Sequence, residues 1–559
     1  MIDAAPLADH AIPDYLASED SFSFANFGGG EAPADLTVNM ARRLYGDSQV
    51  CSDVTDGRCT PYPVILQLMS QANKSMRGGL CEGLAVLSLR LSGDIETLLA
   101  YQNTHTVSQL IKEDPALLSE IAYWYVTQFA MEVQETASAF LEKSPVELAQ
   151  VLMYDFAEAE KGNTHTGFTI GIYSEMGGHA VTPYRVEEMP NGYRIYIYDS
   201  NWPGEERWID VSKEGQWIYA LAATNPTEQA EAWSGGTGTM ELTPMRARSG
   251  PFTCSFCPKE EGEESGTMLT VAASGDKQMS IKIETASGNR LGYYDGMFVN
   301  EIPGATYRYL ISGPSTSDPV LVFLPPGIDD FSADVEQIEV PTPAAEKPAS
   351  SKDRIEALLE EKVEEETQQK FSLLVLNEEK SVQIEAIIVE EEELERWEQP
   401  EEDAEPVEVQ SLLAFSDDAI EIADIEEATV AIAVDALEVE IELEAGQQIA
   451  IAFAPEPPAV EPEPTAPGQP EAPVAEPVQD FLNIAIQDDT GEMLAEVEVD
   501  LSDYRIEDVE ERGPPPTVVP GQPSQEEPDI EPVTVVPLSI EISYDVEAGE
   551  IIQEETEIE

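Results

Sequence analysis

Apolar residues recur at helical spacing in the first part of the chain and alternate with polar residues further on. Four segments between residues 61 and 160 have the helical pattern, and most of them begin near a proline or a glycine pair. They read PYPVILQLMSQANKSM, GGLCEGLAVLSLRL, PALLSEIAYWYVTQFAMEV and SPVELAQVLMYDFAEAE. Ser144 is predicted to cap the last of them, because a serine hydroxyl accepts a hydrogen bond from the first helical turn.

The pattern then changes to that of β-strands. THTGFTIGIYS, HAVTPYRVEEM and GYRIYIYDS are rich in β-branched and aromatic residues. The turn sequence MPNG joins the last two, which predicts a hairpin that folds about residues 189–192. Helices followed by an antiparallel sheet are typical of an α+β domain. We assign this domain to residues 41–258, after an irregular lead-in at residues 1–40.

Two further regions follow this domain. Residues 259–335 contain short alternating runs separated by Gly, Ser, Asp and Asn, which predict a small all-β sandwich. Residues 336–559 alternate Pro/Glu-rich linkers with runs of Val and Ile interleaved with Glu, which predict β segments in an acidic region. The chain is therefore expected to be a multidomain protein.

Charge narrows the range of partners. The formal net charge is −81, and residues 341–559 hold 62 acidic and 9 basic side chains. Such a chain repels nucleic acid and anionic membranes, so neither is an expected partner, whereas cations or basic proteins suit the acidic region. No run approaches the ~20 apolar residues of a membrane span. The first residues, MIDAAPLADH, show neither the basic start nor the apolar stretch of a signal peptide.

Cys81 is the candidate nucleophile. It follows two glycines and begins a predicted apolar helix, whose positive end stabilises a thiolate. Its backbone N–H has no acceptor within that helix and is available to an oxyanion. A buried core cysteine is the alternative interpretation, since free cysteine is among the most buried residue types.

A base and an orienting group are predicted on the hairpin. His179 begins the strand after Gly177 and Gly178, and the YDSNWPG segment places Asp199 and Asn201 near the open end of the same hairpin. Asp199 is preferred as the orienting group, because a carboxylate fixes the imidazole tautomer and stabilises imidazolium. His165 is the alternative base.

The order of a helix cysteine followed by a hairpin His and Asp resembles the papain-like cysteine peptidases. GGHAVTPYRVEEMPNGYRIYIYDSNWPG is most similar to the bacterial C39-like branch. The resemblance implies an acyl-enzyme on Cys81, with His179 as base and Asp199 as orienter. The family usually carries a Gln several residues before the cysteine, whereas the residue six positions before Cys81 in this chain is Ser75. Gln71, Asn73 and Asn201 are the substitutes that we consider for the oxyanion or orienting role.

The remaining cysteines form two close pairs, Cys51 with Cys59 and Cys254 with Cys257. Two disulfides are one interpretation, and they imply an oxidising, extracellular or cell-surface environment. One structural zinc held by all four thiolates is the alternative, provided that the ends of the domain meet. No other cofactor is predicted.

Three functions are compatible with these features. The first is a thiol hydrolase that cleaves a peptide or other amide bond in a peptide or protein substrate. The second is a secreted or surface structural protein, an adhesin for example, in which the papain-like domain is degenerate. In the third, an amine replaces water as the acceptor, as in transglutaminase-like acyltransferases. Residues 266–330 also resemble, weakly, the β-sandwich modules of secreted bacterial multidomain proteins, through the phrase VNEIPGATYRY.

Overall fold

The fold is that of a computed structural model. It describes residues 7–13, 15–28, 35–55, 57–93, 98–163, 166–174, 177–222, 231–257, 265–273, 278–294, 297–311, 319–328, 330–338, 369–377, 380–388, 413–416, 419–422, 428–434, 437–443, 447–455, 479–488, 493–500, 538–545 and 550–557.

The helices all lie in the first 160 residues of the described chain, apart from one 3₁₀ turn at Met245–Arg248. They are α1 Ala17–Asp20, α2 Val38–Tyr45, α3 Asp47–Val50, α4 Pro63–Met76, α5 Cys81–Ser92, α6 Pro115–Val126, α7 Met131–Leu141 and α8 Pro145–Glu160.

The strands nearest the helices are β1 Ala8–Ala11, β2 Cys51–Thr55, β3 Arg58–Pro61, β4 Phe168–Ser174, β5 Gly177–Met189, β6 Gly192–Tyr198, β7 Arg207–Ser212, β8 Trp217–Ala222, β9 Glu231–Gly235 and β10 Met240–Pro244. Those that follow are β11 Thr267–Ala273, β12 Gln278–Thr285, β13 Arg290–Tyr294, β14 Met297–Asn300, β15 Thr306–Tyr309, β16 Val320–Leu324, β17 Phe331–Ile338, β18 Gln369–Leu376, β19 Lys380–Ile388, β20 Leu413–Phe415, β21 Ala419–Ile422, β22 Ala428–Val434, β23 Leu437–Leu443, β24 Gln447–Pro455, β25 Gln479–Asp488, β26 Met493–Asp500, β27 Leu538–Asp545 and β28 Glu550–Glu557.

The first sheet has the strand order β10-β4-β5-β6-β7-β8-β9. Its pairings are antiparallel, so the chain up to about residue 250 combines helices with an antiparallel sheet, as an α+β protein does. The predicted hairpin is confirmed, since β5 and β6 pair with Met189 opposite Gly192. A register shift between Pro183 and Arg185 lets the end of β6 continue alongside Thr182.

The helices form as their patterns predict, with one difference. Ser144 caps α8 in a capping box, in which its hydroxyl accepts from the Glu147 N–H and the Glu147 carboxylate accepts from the Ser144 N–H. The segment PALLSEIAYWYVTQFAMEV, predicted as one helix, is divided by a 3₁₀ turn at Thr127–Phe129 into α6 and the start of α7.

Helix α5 lies so close to α6 that a Cβ on Gly83 would be 2.1 Å from the Ile121 carbonyl oxygen. Glycine is therefore required there.

The prediction of an irregular lead-in at residues 1–40 is wrong for the part that the structure describes. Strand β1 pairs antiparallel with β5, with His10 opposite Val186. Phe22 and Phe27 are buried in the same apolar core as α5 and α6. Burial of these aromatic rings stabilises the segment against the domain by hydrophobic transfer.

The predicted domain boundary at residue 335 is also wrong. Among the described residues, strands from 267 to 557 form two nine-stranded sheets, ordered β15-β16-β11-β18-β19-β22-β23-β27-β28 and β14-β13-β12-β17-β20-β21-β24-β25-β26. Strand β18 pairs directly with β11, and β20 pairs with β17. Buried residues of the two sheets share one core, so the β segments of the acidic region extend the sandwich instead of following it.

The helical half and the sandwich share a second core. Met268, Leu310, Leu321, Leu374 and Leu376 of the sandwich are buried in the same cluster as the helical residues. In the described part of the chain, no helix is long and apolar enough to cross a membrane.

The four paired cysteines form two disulfides, Cys51–Cys59 and Cys254–Cys257. The first closes the β2–β3 hairpin. The two ends of the domain do meet, since the Cys254 N–H donates to Gln49 Oε1 at 2.8 Å. Within each pair, however, the two sulfurs are bonded to each other. They therefore do not serve as the four thiolates of the alternative zinc site. Disulfides of this kind are typical of proteins in an oxidising environment.

Candidate active site

Cys81 is the first residue of α5 and is completely buried. It is also the free cysteine of the described chain. The N-terminus of a twelve-residue helix presents unpaired N–H groups and the positive end of the helix dipole to the thiol. The predicted placement of Cys81 on a helix start is therefore what the structure has.

His179 lies on β5, completely buried, with Nε2 at 2.7 Å from Asp199 Oδ1. Because Nε2 is taken by Asp199, Nδ1 is the ring nitrogen left for Cys81, which interacts with the imidazole. Burial by itself would lower the pKa of His179, but the charges of Asp199 and Cys81 outweigh burial and raise that pKa to about 10. The imidazole is therefore held in a setting that favours imidazolium.

Asp199 follows directly after β6 and is completely buried. Besides His179, it accepts from the Asn201 N–H at 2.8 Å and from the Tyr219 hydroxyl at 2.6 Å. Burial opposes ionisation, but His179 and these two donors hold the pKa of Asp199 below its usual value. A carboxylate with three donors is ionised and fixed in one orientation, which orients the His179 ring.

Removal of the Tyr219 hydroxyl tests this carboxylate environment. A folded-state pKa below the unfolded value means that Asp199 contributes stability above its unfolded pKa, and that this stability is lost as pH falls through the folded value. Tyr219→Phe removes one donor, so we expect a loss of about 1–3 kcal/mol near pH 7 and an acid transition that begins at higher pH. Urea midpoints between pH 3 and 7 measure both.

The exposed Tyr154 provides the matched control, since it is 70% accessible. Tyr154→Phe should leave the urea midpoint and its pH dependence unchanged. A Tyr219→Phe protein with the wild-type acid transition would contradict the role given to this hydroxyl.

The structure separates the three proposed oxyanion or orienting residues. Asn201 is buried beside the pair but meets Asp199 through its backbone N–H. Asn73 Oδ1 accepts from the Leu36 N–H at 2.6 Å, so this side chain fastens the start of the domain. The Gln71 side chain is buried on α4, and in the described structure neither of its polar atoms has a hydrogen-bond partner. Neither Gln71 nor Asn73 is hydrogen-bonded to Cys81 or His179 in the described part of the chain. His165 lies outside the described residues.

Asn26 is a site residue that the sequence reasoning missed. Its Oδ1 accepts from the N–H of Leu80, the residue before Cys81, at 2.9 Å. Its own N–H donates to the Ser200 carbonyl at 2.8 Å, next to Asp199. Asn26 thus joins the start of α5 to the loop that carries the carboxylate. The sequence signal was present in FSFANF, because a segment with three aromatic residues is a poor candidate for a solvated lead-in.

Two buried ion pairs lie near Cys81, the candidate nucleophile. Glu82, the residue after Cys81, pairs with Arg248, and Glu241 on β10 pairs with Arg308 on β15. All four side chains are at most 1% exposed. Arg248 also donates to Thr127 Oγ1 at 2.7 Å. These charges fix α5, the first sheet and the sandwich relative to one another, because a buried charge is costly unless it keeps its partner.

The described residues contain no group of three or more His, Cys, Asp or Glu side chains that suits a metal ion. Comparisons of the chain with protein-family models, with curated proteins and with solved structures find no match.

Proposed function

We propose that the chain is a cysteine-dependent hydrolase of papain-like type that cleaves a peptide or other amide bond. The observation that supports it is the buried His179–Asp199 pair at 2.7 Å, which leaves Nδ1 of the ring to Cys81 at the start of a helix. Nucleophile, base and orienter in this arrangement are the parts that thiol acyl transfer needs.

In the proposed first step, the Cys81 thiolate attacks the carbonyl carbon of the substrate and forms a C–S bond. The helix-start N–H of Cys81 stabilises the resulting oxyanion. Imidazolium of His179 gives its Nδ1 proton to the leaving nitrogen as the C–N bond breaks, which releases an amine and leaves a thioester. Asp199 keeps the ring in place through Nε2 and stabilises the imidazolium form.

In the second step, neutral His179 takes a proton from water as the water oxygen attacks the thioester. The C–S bond breaks, the acid leaves, and the thiolate–imidazolium pair is restored. An amine acceptor in place of water would give the acyltransferase alternative with the same residues.

The test is the pH dependence of iodoacetamide labelling of the full-length protein. An ordinary thiol, with a pKa of about 8.5, loses roughly 500-fold in labelling rate between pH 8.5 and pH 5.5. A Cys81 thiolate–imidazolium pair should lose less than about 10-fold, measured by mass spectrometry of the Cys81 peptide. The Cys81→Ala protein should show no labelling as long as no reductant is present, because the other four cysteines are held in disulfides. An ordinary thiol profile would favour the degenerate, structural-protein alternative, which the complete burial of Cys81 also supports.

Location and partners follow from other features. An extracellular or cell-surface site is proposed from the two disulfides. Cation or basic-protein binding is proposed from the 62 acidic side chains of residues 341–559.

A further inference from the structure

Cys81 is buried in a small apolar cluster with Ala85, Ala180 and Ile311, against which Tyr173 packs. The other members belong to α5 and to the first sheet. Ile311 instead follows β15 and belongs to the sandwich, 230 positions further along the chain. Ile311, a residue of the sandwich, therefore completes the apolar cluster that buries the proposed nucleophile.

The backbone of Ile311 is held by one side chain. The Ile311 N–H donates to Gln128 Oε1 at 2.8 Å, and Gln128 Nε2 donates to the Ile311 carbonyl at 3.3 Å. Gln128 is completely buried in the 3₁₀ turn between α6 and α7. A side-chain amide that satisfies both backbone groups of one residue recognises an extended peptide without regard to its sequence.

The side chain of Ile311 enters a space left by a glycine. A Cβ on Gly171 of β4 would lie 2.7 Å from Ile311 Cδ1, so a larger residue at 171 would displace the isoleucine. With Ala85 and Ala180 on the other sides, the space is lined by small residues and is shaped for one aliphatic side chain.

The chain that carries Ile311 is also held at Arg308, three residues earlier. Arg308 pairs with Glu241 of the first sheet, and both side chains are completely buried. The segment is therefore held next to Cys81 by charge, by the Gln128 hydrogen bonds and by apolar contact.

We propose that Ile311 occupies the place of an aliphatic substrate residue, so that the sandwich holds the site closed and Gln128 binds the backbone of the peptide that replaces it. This inference rests on the proposed function. It assigns Gln128 as a substrate-binding residue and peptides with an aliphatic side chain as the preferred substrates.

Labelling of Cys81 by iodoacetamide at pH 9 tests access separately from chemistry, since even an ordinary thiol is largely ionised there. Ile311→Ala should speed labelling at least 10-fold, and Ile311→Val, which removes only Cδ1, should give a smaller increase. The matched control is Leu310→Ala, because Leu310 is equally buried but packs into the helical core. Circular dichroism establishes that each variant is folded. Equal acceleration by Leu310→Ala, or none by Ile311→Ala, would overturn the proposal.

A second measurement tests the recognition itself in the Ile311→Ala protein. N-acetyl-isoleucine N-methylamide should slow labelling at millimolar concentration, and N-acetyl-aspartate N-methylamide should not. Adding Gln128→Leu should remove that protection, measured as the ratio of the labelling rates with and without the amide. Equal protection by the two amides, or protection that survives Gln128→Leu, would contradict the assigned site.

The two proposals fail in different ways. An ordinary thiol profile between pH 5.5 and 8.5 removes the hydrolase proposal and leaves the pH 9 access result as it stands. Unchanged access at pH 9 with a shallow profile removes the Ile311 proposal alone.

Discussion

Replacing His179 by glutamine is expected to steepen the pH dependence of Cys81 labelling from less than about 10-fold to roughly 500-fold between pH 8.5 and 5.5. Glutamine is polar and similar in length, but it carries no charge to stabilise a thiolate. Without imidazolium, the thiolate loses the charge that pairs with it, and labelling at low pH falls with ordinary thiol ionisation. Labelling rates at matched pH values in the two proteins measure the effect.

The upper end of the profile follows from the raised pKa of His179. The imidazolium form persists up to a pKa of about 10, so the ion pair should remain intact at pH 9. The free energy of unfolding should depend on pH in the same direction. Because the pKa of His179 is raised in the folded state, its contribution to stability is complete below the unfolded pKa and is lost as pH rises through about 10.

His10→Gln is the matched control for this experiment. His10 lies on β1, the strand that pairs with β5, and is partly exposed. Its Nδ1 is 2.8 Å from a carboxylate oxygen of Glu160. Its loss should leave the labelling profile shallow. A shallow profile in His179→Gln would mean that the thiolate does not depend on the imidazole, and the proposed base would be wrong.

Arg308→Met is expected to destabilise the protein by about 3–5 kcal/mol, the largest stability effect that we predict. The side chains of Arg308 and Glu241 are both completely buried, and methionine leaves the Glu241 carboxylate without its counter-charge. The urea midpoint, followed by circular dichroism, measures the loss. The double variant Glu241→Gln/Arg308→Met should recover much of it, because no uncompensated charge then remains.

The control is an exposed pair in the same sandwich. Arg290 and Glu301 are 41% and 43% exposed, so Arg290→Met should change stability by no more than about 1 kcal/mol. Similar losses from Arg290→Met and Arg308→Met would show that the buried pair has no special role in joining the sandwich to the first sheet.

The chain order of the site residues could be predicted from the sequence. Cys81 stands between a glycine pair and an apolar helical pattern, and helix starts and glycines are local signals. His179 and Asp199 stand on either side of a tight-turn sequence, and a hairpin turn sets which residues come near each other. Local periodicity and turn chemistry are encoded over about ten residues, so one sequence suffices to find them.

Other features depend on contacts between distant segments. The side chain of Asp199, and not that of Asn201, meets the His179 ring. The residues that follow β6 are held by Tyr219 and Asn26, through contacts that no local pattern marks. Asn26 reaches the start of α5 from more than fifty positions away. The extension of the sandwich beyond residue 335 follows from the pairing of β18 with β11, about 100 positions apart.

By itself, the sequence therefore determined the helices, the hairpin, the two cysteine pairs and three candidate residues for the site. The tertiary structure alone decided that Asp199 Oδ1 orients the imidazole, that the segment with Asn26 supports the start of α5 and that Ile311 covers Cys81. The reason is physical. A strand or helix is specified by neighbours along the chain, whereas Ile311 is placed beside Cys81 by Gln128, by Gly171 and by a buried ion pair whose members are separated by 67 positions.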